Sequence, residues 1–310
     1  MPYLPILNIT LTLVMALLSM AFFTLLERKI LGYTQLRKGP NKVVFMGIPQ
    51  PMADALKLLA KEQTKPSLSN FFPLIISPFT ALALALMMWF LYPTLFPTHF
   101  FVYATLFMLS VSSLNVYTIL VAGWASNSKY ALMGSLRGIA QTISYEVSMA
   151  LILLSSLILL LSFDFSHILS TKTSWIIFMS LPTFLIWSAT ILAETNRTPF
   201  DLSEGESELV SGFNTEFSGG PFALIFMAEY TNILFMSILT AVIFSGGIFF
   251  SLPNQILFFS KILLMATLFI WVRSAYPRLR YDRLMNICWK TFLPWTLASL
   301  TLCTTFSFAL

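Results

Sequence analysis

Three glutamates stand inside otherwise apolar stretches of this chain: Glu146, Glu194 and Glu229. By helical rise, Glu146 lies about 6 Å inside its stretch and Glu229 about 12 Å inside another. Glu194 ends a third. No Lys or Arg shares their stretches, so the sequence offers these acids no obvious partner charge. An ionisable side chain in a membrane span is costly, and it usually marks an ion path or a proton relay. Carboxyl groups held close together in apolar surroundings share protons rather than all ionise. That property is what a relay needs.

Residues 194–220 extend the acidic series. They carry Glu194, Asp201, Glu204, Glu206, Glu208 and Glu216 against the single Arg197. On a helix Glu204 and Glu208 would share a face with Glu206 turned away, whereas an extended segment would align all three. A plain reading makes this segment a solvated acidic surface and the buried glutamates structural. Taken with Glu146 and Glu229, proton or cation handling is the better reading. Arg28 and Lys29 end the first apolar stretch and Arg137 precedes the fourth, as snorkelling anchors or as the polar rim of a cavity. Phe222 and Phe226, one helical turn apart, either pack in a core or line an apolar pocket.

Other chemistries are poorly served. The two cysteines, Cys288 and Cys303, form no CxxC pair, and an iron–sulfur cluster usually takes four cysteines. The two histidines, His99 and His167, fall in outer loops rather than in the spans where a haem would sit. No redox centre and no metal site of its own is therefore expected. There is no P-loop, dinucleotide fingerprint or hydrolase triad.

The elements that must position these acids are membrane helices. Of 310 residues, 57% are hydrophobic and only 10% charged, with a mean hydropathy of +0.81. A soluble domain carries about a quarter of its residues as charges. The pattern predicts an all-α, polytopic membrane protein of one integral domain over 1–310. About eight spans are expected, at 3–26, 71–92, 100–122, 142–162, 174–194, 221–248, 257–275 and 289–309. The first is of span length with no small-residue cleavage site after it, so no cleavable signal peptide is expected. The first, third, fifth and seventh loops hold eight, two, one and five of the eighteen Lys and Arg. Positive loops stay inside, which puts both termini outside. The same placement explains the net charge of +5 without nucleic acid. In the long first inner loop, residues 51–62 set Met52, Leu56 and Leu59 on one face and Asp54, Lys57 and Lys61 on another, predicting a short interfacial helix. Residues 273–290 form an arginine-rich inner segment broken by Pro277. No inverted repeat of the transporter kind is found.

Four segments carry a resemblance. Residues 27–41 (ERKILGYTQLRKGPN), 123–132 (GWASNSKYAL), 140–147 (AQTISYEV) with the acidic segment through Phe213, and 273–282 (RSAYPRLRYD) resemble, in order, subunit 1 of respiratory NADH:ubiquinone oxidoreductase, complex I, in its animal mitochondrial form. The family usually has a second Gly-Pro where this chain has Val44-Phe45. The resemblance implies a multi-pass subunit of the mitochondrial inner membrane, with its termini toward the intermembrane space, and no bound cofactor. It implies ubiquinone as substrate in a chamber shared with two peripheral-arm subunits, one carrying the terminal iron–sulfur cluster. Other membrane-arm subunits and lipids are the remaining expected partners. Enzymatic activity would belong to the assembly, the H+-translocating NADH:ubiquinone reductase, and not to the isolated chain. Carried over by motif, Tyr145, Glu146, Glu194, Asp201, Glu204, Glu206 and Glu229 resemble a proton path. Arg28, Arg137, Arg197 and Phe226 resemble residues of the chamber or its adjoining loops. Two readings remain beside this one: a stand-alone proton or cation transporter, and the membrane subunit of an energy-converting hydrogenase.

Overall fold

The computed structural model describes residues 3–93, 101–171, 175–246 and 252–309. His99 and Lys172 lie outside the described residues. The described residues are helices joined by loops, with no strand among them. α1 (Tyr3–Thr34) leads through a long loop to α2 (Gln50–Ala60) and α3 (Phe71–Met88), which ends in a 3-10 turn at Trp89–Leu91. α4 (Ala104–Ala125), α5 (Lys129–Leu160) and the short α6 (Phe165–Thr171) and α7 (Ile176–Met179) precede α8 (Leu181–Glu194). α9 (Glu206–Leu209) is a single turn before α10 (Gly219–Thr240), which runs on as a π turn to Ser245. α11 (Leu252–Ala275), α12 (Tyr281–Ile287) and α13 (Leu293–Ala309) complete the order, the last two joined through a π turn.

Six of these helices are long and apolar enough to cross a membrane. The other two expected spans also fall on helix. α7 and α8 share one, broken at Ser180, and α12 runs through its π turn into α13 for the other. This is an all-α polytopic membrane protein. α10 packs on α3, α3 on α4, α4 on α5, and α5 on both α8 and α13, while α1 and α11 close the opposite side of α10. The main core lies between them, with Met108, Ile152, Trp187, Phe235 and Phe244 fully buried.

Two expectations need correction. Hydropathy starts the fourth span at 142, but its helix starts at Lys129, so Arg137 lies within α5 rather than before it. Its first turns are too polar for a hydropathy window, yet they are held by contacts. Gln141, fully buried, donates to the carbonyls of Ala193 (3.0 Å) and Phe200 (2.7 Å). Second, the acidic run is neither one helix nor one extended strand: Glu204 precedes the α-helical turn Glu206–Leu209, and a separate 3-10 turn covers Gly212–Glu216. Gly212 makes that fold possible. Its φ is +56°, and a Cβ there would sit 1.8 Å from the Ser203 carbonyl oxygen. α2 forms as expected, with Met52, Leu56 and Leu59 all exposed along it.

Candidate functional site

The loop after α8 carries the centre of the site. Its backbone turns back at once, with the Arg197 N–H donating to the Leu192 carbonyl (3.2 Å) and Phe200 to Arg197 (2.8 Å). Leu279 donates to the Pro199 carbonyl (3.0 Å), tying in the segment after α11. Together with Gln141, these bonds fold residues 195–205 against the helix ends rather than leaving them as a free acidic loop.

Arg197 is the hub, with only 13% of its side chain exposed. Its guanidinium lies 3.9 Å from Glu27 of α1 and 3.9 Å from Glu229 of α10. It also stacks 4.4 Å over the Tyr230 ring. No cation shares the helix of Glu229; its partner comes from a loop. Glu27 is paired further with Arg273, at the end of α11. Arg278 binds Asp201 at 3.0 Å. Glu204 accepts from the Asn214 amide. Glu27 near the end of α1, Glu229 midway along α10 and Asp201 of the loop thus pair with three arginines, one from α11 and two from loops.

The loop members have shifted titrations. Burial raises the Asp201 carboxyl above its ordinary value, against the opposing pull of Arg278. Burial also raises Glu204, and the Asp201 charge beside it adds to the effect. For Arg197, burial works against the cation, but Tyr230, Glu229 and Glu27 more than restore it, so its pKa lies above the usual guanidinium value.

A second acidic group adjoins the first. Glu194, at the end of α8, is buried and faces Glu146 of α5 closely enough for their charges to interact. Glu194 and Glu229 both line a cavity of about 50 Å³ between α3, α4, α8 and α10. A second cavity of about 20 Å³ adjoins the first, with Asn115, Glu194, Thr195 and Asn232 common to both.

The expected site residues separate accordingly. Asp201, Glu204, Glu229 and Arg197 come together, and Glu146 with Glu194 forms a neighbouring pair. Tyr145 is fully buried on the other face of α5, between Phe200 and Phe292, with its hydroxyl 3.4 Å from the Leu284 carbonyl. Arg137 pairs with Glu208 (2.6 Å) and Arg28 with Asp54 of α2 (2.5 Å), both away from Arg197. Phe226 packs edge-to-face on Phe222 with ring centroids 4.5 Å apart. The Glu206 side chain lies outside the described residues. Sequence reasoning missed Glu27, Tyr230, Arg273, Arg278, Asn115 and Asn232 as members. A carboxylate directly before Arg28-Lys29 at a span end was the available signal for Glu27.

Among the described residues no group of three or more His, Cys, Asp or Glu is arranged to hold a metal ion. Fold and site together define a class: a polytopic helical membrane protein whose helix ends enclose interacting buried acids. The model of the NADH dehydrogenase family matches residues 7–304. NADH-ubiquinone oxidoreductase chain 1 of Pongo pygmaeus is 55% identical over 300 residues, covering 96% of this chain and 94% of the relative. The protein of the same name from Aedes aegypti is 54% identical over 288 residues, covering 93% and 91%. The chain belongs to the NADH-ubiquinone oxidoreductase chain 1 family, and so to the membrane subunits of complex I.

Proposed function

We propose that this subunit forms much of the ubiquinone chamber with its peripheral neighbours and couples quinone reduction to proton pumping through its buried acids. The observation that carries the reading is the cluster around Arg197, whose member Glu229 lines the same cavity as Glu194. Reducing ubiquinone to ubiquinol takes up two electrons and two protons, changing the charge in a cavity of low dielectric. Charge interactions are strong there. The acids around Arg197 respond as a coupled set, so a proton arriving at one changes the affinity of the rest. Glu194 and Glu146 pass the change toward neighbouring membrane subunits.

Within this reading Asp201, Glu204, Glu206, Glu229, Glu194 and Glu146 carry the path, with Tyr145 packing behind it. Arg197 balances the charge. Arg28, Arg137 and Phe226 belong to the chamber rim and adjoining loops. The chain supplies no redox centre; the iron–sulfur cluster that reduces the quinone sits in a peripheral partner. Lipids cover the outer helix faces, and both termini face the intermembrane space, as the distribution of positive loops favours.

Blue-native electrophoresis of gently solubilised membranes, with in-gel staining for NADH oxidation, tests membership of the assembly. The chain should migrate with a very large NADH-active complex; migration alone would return the transporter reading. In that complex, Glu229→Gln should slow NADH–ubiquinone turnover and its linked proton movement while NADH oxidation by ferricyanide stays normal. Unchanged quinone reduction and pumping would sink the proposed path at that residue.

A further inference from the structure

Asn232 lies thirteen residues beyond the start of α10, about 20 Å along the helix axis and well inside the span. Its side-chain amide makes no hydrogen bond to any described residue and lines both cavities. Asn115, eleven residues into α4, faces the same space; its carbonyl oxygen lies 3.3 Å from the Thr118 hydroxyl. Both asparagines are half-buried, and a polar group so placed is normally satisfied by protein or by water. A water needs about 10–15 Å³ of such space. Cavities of about 50 and 20 Å³ therefore have room for a few waters, and Asn232 and Asn115 line both, at the waist between them.

We propose that Asn232 and Asn115 are positioning residues that hold the water chain joining Glu194 to Glu229. This rests on the carboxylate path of the preceding section and assigns the step between its two acidic groups. No hydrogen bond joins Glu194 to Glu229 among the described residues, yet both face the same water-sized space. An amide suits the role because it donates and accepts without titrating at working pH. It orients water from either side and does not trap the proton. Beyond Asn232, Met88, Val111, Phe235 and Met236 wall the smaller cavity. The water file ends in apolar packing there, so the proton stays between the acids.

The test uses the intact complex in sealed membrane vesicles. Asn232→Leu fills the waist with a side chain of similar size and no hydrogen-bonding group. Asn232→Ser leaves room for a substitute water. NADH oxidation by ferricyanide reports the amount of assembled complex. Relative to that, Asn232→Leu should lower proton-coupled ubiquinone turnover about tenfold, and Asn232→Ser should stay within about twofold of the parent. Equal losses in both variants would mark Asn232 as merely structural, and normal turnover in the Leu variant would show that the waist is not used. Either outcome overturns the proposal. If Asn232→Leu does not assemble, Asn115→Leu and Asn115→Ser are read by the same two criteria. Glu194→Gln, made in parallel, separates the two levels of the argument. Normal turnover there overturns the carboxylate path itself. A slow Glu194 variant beside a normal Asn232→Leu overturns only the role of the asparagines.

Discussion

The acids around Arg197 and the Glu146–Glu194 pair solve the same problem differently. Around Arg197, Glu27, Asp201 and Glu229 each lie within 4 Å of an arginine nitrogen, and Glu204 accepts from the Asn214 amide. Glu146 and Glu194 have no ion-pair partner among the described residues and face each other. The first group gains from cations delivered by loops, which can reach into a helix end from any direction. The second lies on α5 and α8, where the local sequence is apolar and a cation would face its own burial cost. A balanced group is suited to sensing a change of charge in a chamber. An unbalanced pair is suited to holding one proton and giving it up.

Removing the balancing cation should break the first group most severely. Arg197→Met leaves Glu229 and Glu27 without that charge, and loss of one member of a buried pair costs about 3–5 kcal/mol. The complex should dissociate at a clearly lower temperature in native gels after graded heating. Retained stability would mean that the arginine is not what holds those acids. Next, Glu194→Gln should leave assembly intact, since no cation loses its partner, while coupled turnover falls about tenfold or more. Vesicle assays of NADH-driven proton movement check this. If Glu194→Gln impaired assembly as badly as Arg197→Met, the distinction between the groups would fail.

The pH response sharpens the same contrast. Glu204 has its carboxyl pKa raised in the fold, so the folded protein binds more protons than the unfolded chain across that interval. Its contribution to stability is complete below the ordinary carboxylate value and is lost as pH rises through the raised one. Glu204→Gln should therefore flatten the decline of thermal stability within that window, measured as dissociation temperature against pH. The exposed Arg137–Glu208 pair, with side chains 30% and 41% accessible, provides a reference. Arg137→Ala should change stability by no more than about 1 kcal/mol. Smallest of all is the effect of Val44, held at a φ of +50°. A β-branched side chain is strained there by roughly 1–2 kcal/mol, so Val44→Gly should be neutral or slightly stabilising in the same heating assay. The freedom that Gly adds to the unfolded chain offsets part of the gain.

Much of the architecture was legible along the chain because lipid imposes a length and a composition on each helix. The run 71–92 was read almost to its ends, and the amphipathic helix near 51–62 followed from residue spacing. The start of α5 was not legible. Lys129 to Gln141 is helical because Gly134 and Gly138 let the 203–212 segment approach and because Gln141 bonds to two carbonyls elsewhere. Periodicity does not encode those bonds.

The site divides in the same way. Glu146, Glu194 and Glu229 announced themselves, because an acid in an apolar run is visible in one dimension. The sequence by itself determined that this is a helical membrane protein, which acids its helices bury, and, through its ordered motifs, which family it belongs to. Only the tertiary structure decided that Arg197 serves Glu27 and Glu229 together, that Tyr145 turns away from the acids, and that Asn115 and Asn232 share a cavity. The physical reason is one of range. Membrane insertion reads composition over about twenty consecutive residues, whereas a hydrogen bond or ion pair reads only distance in space, whatever the separation along the chain.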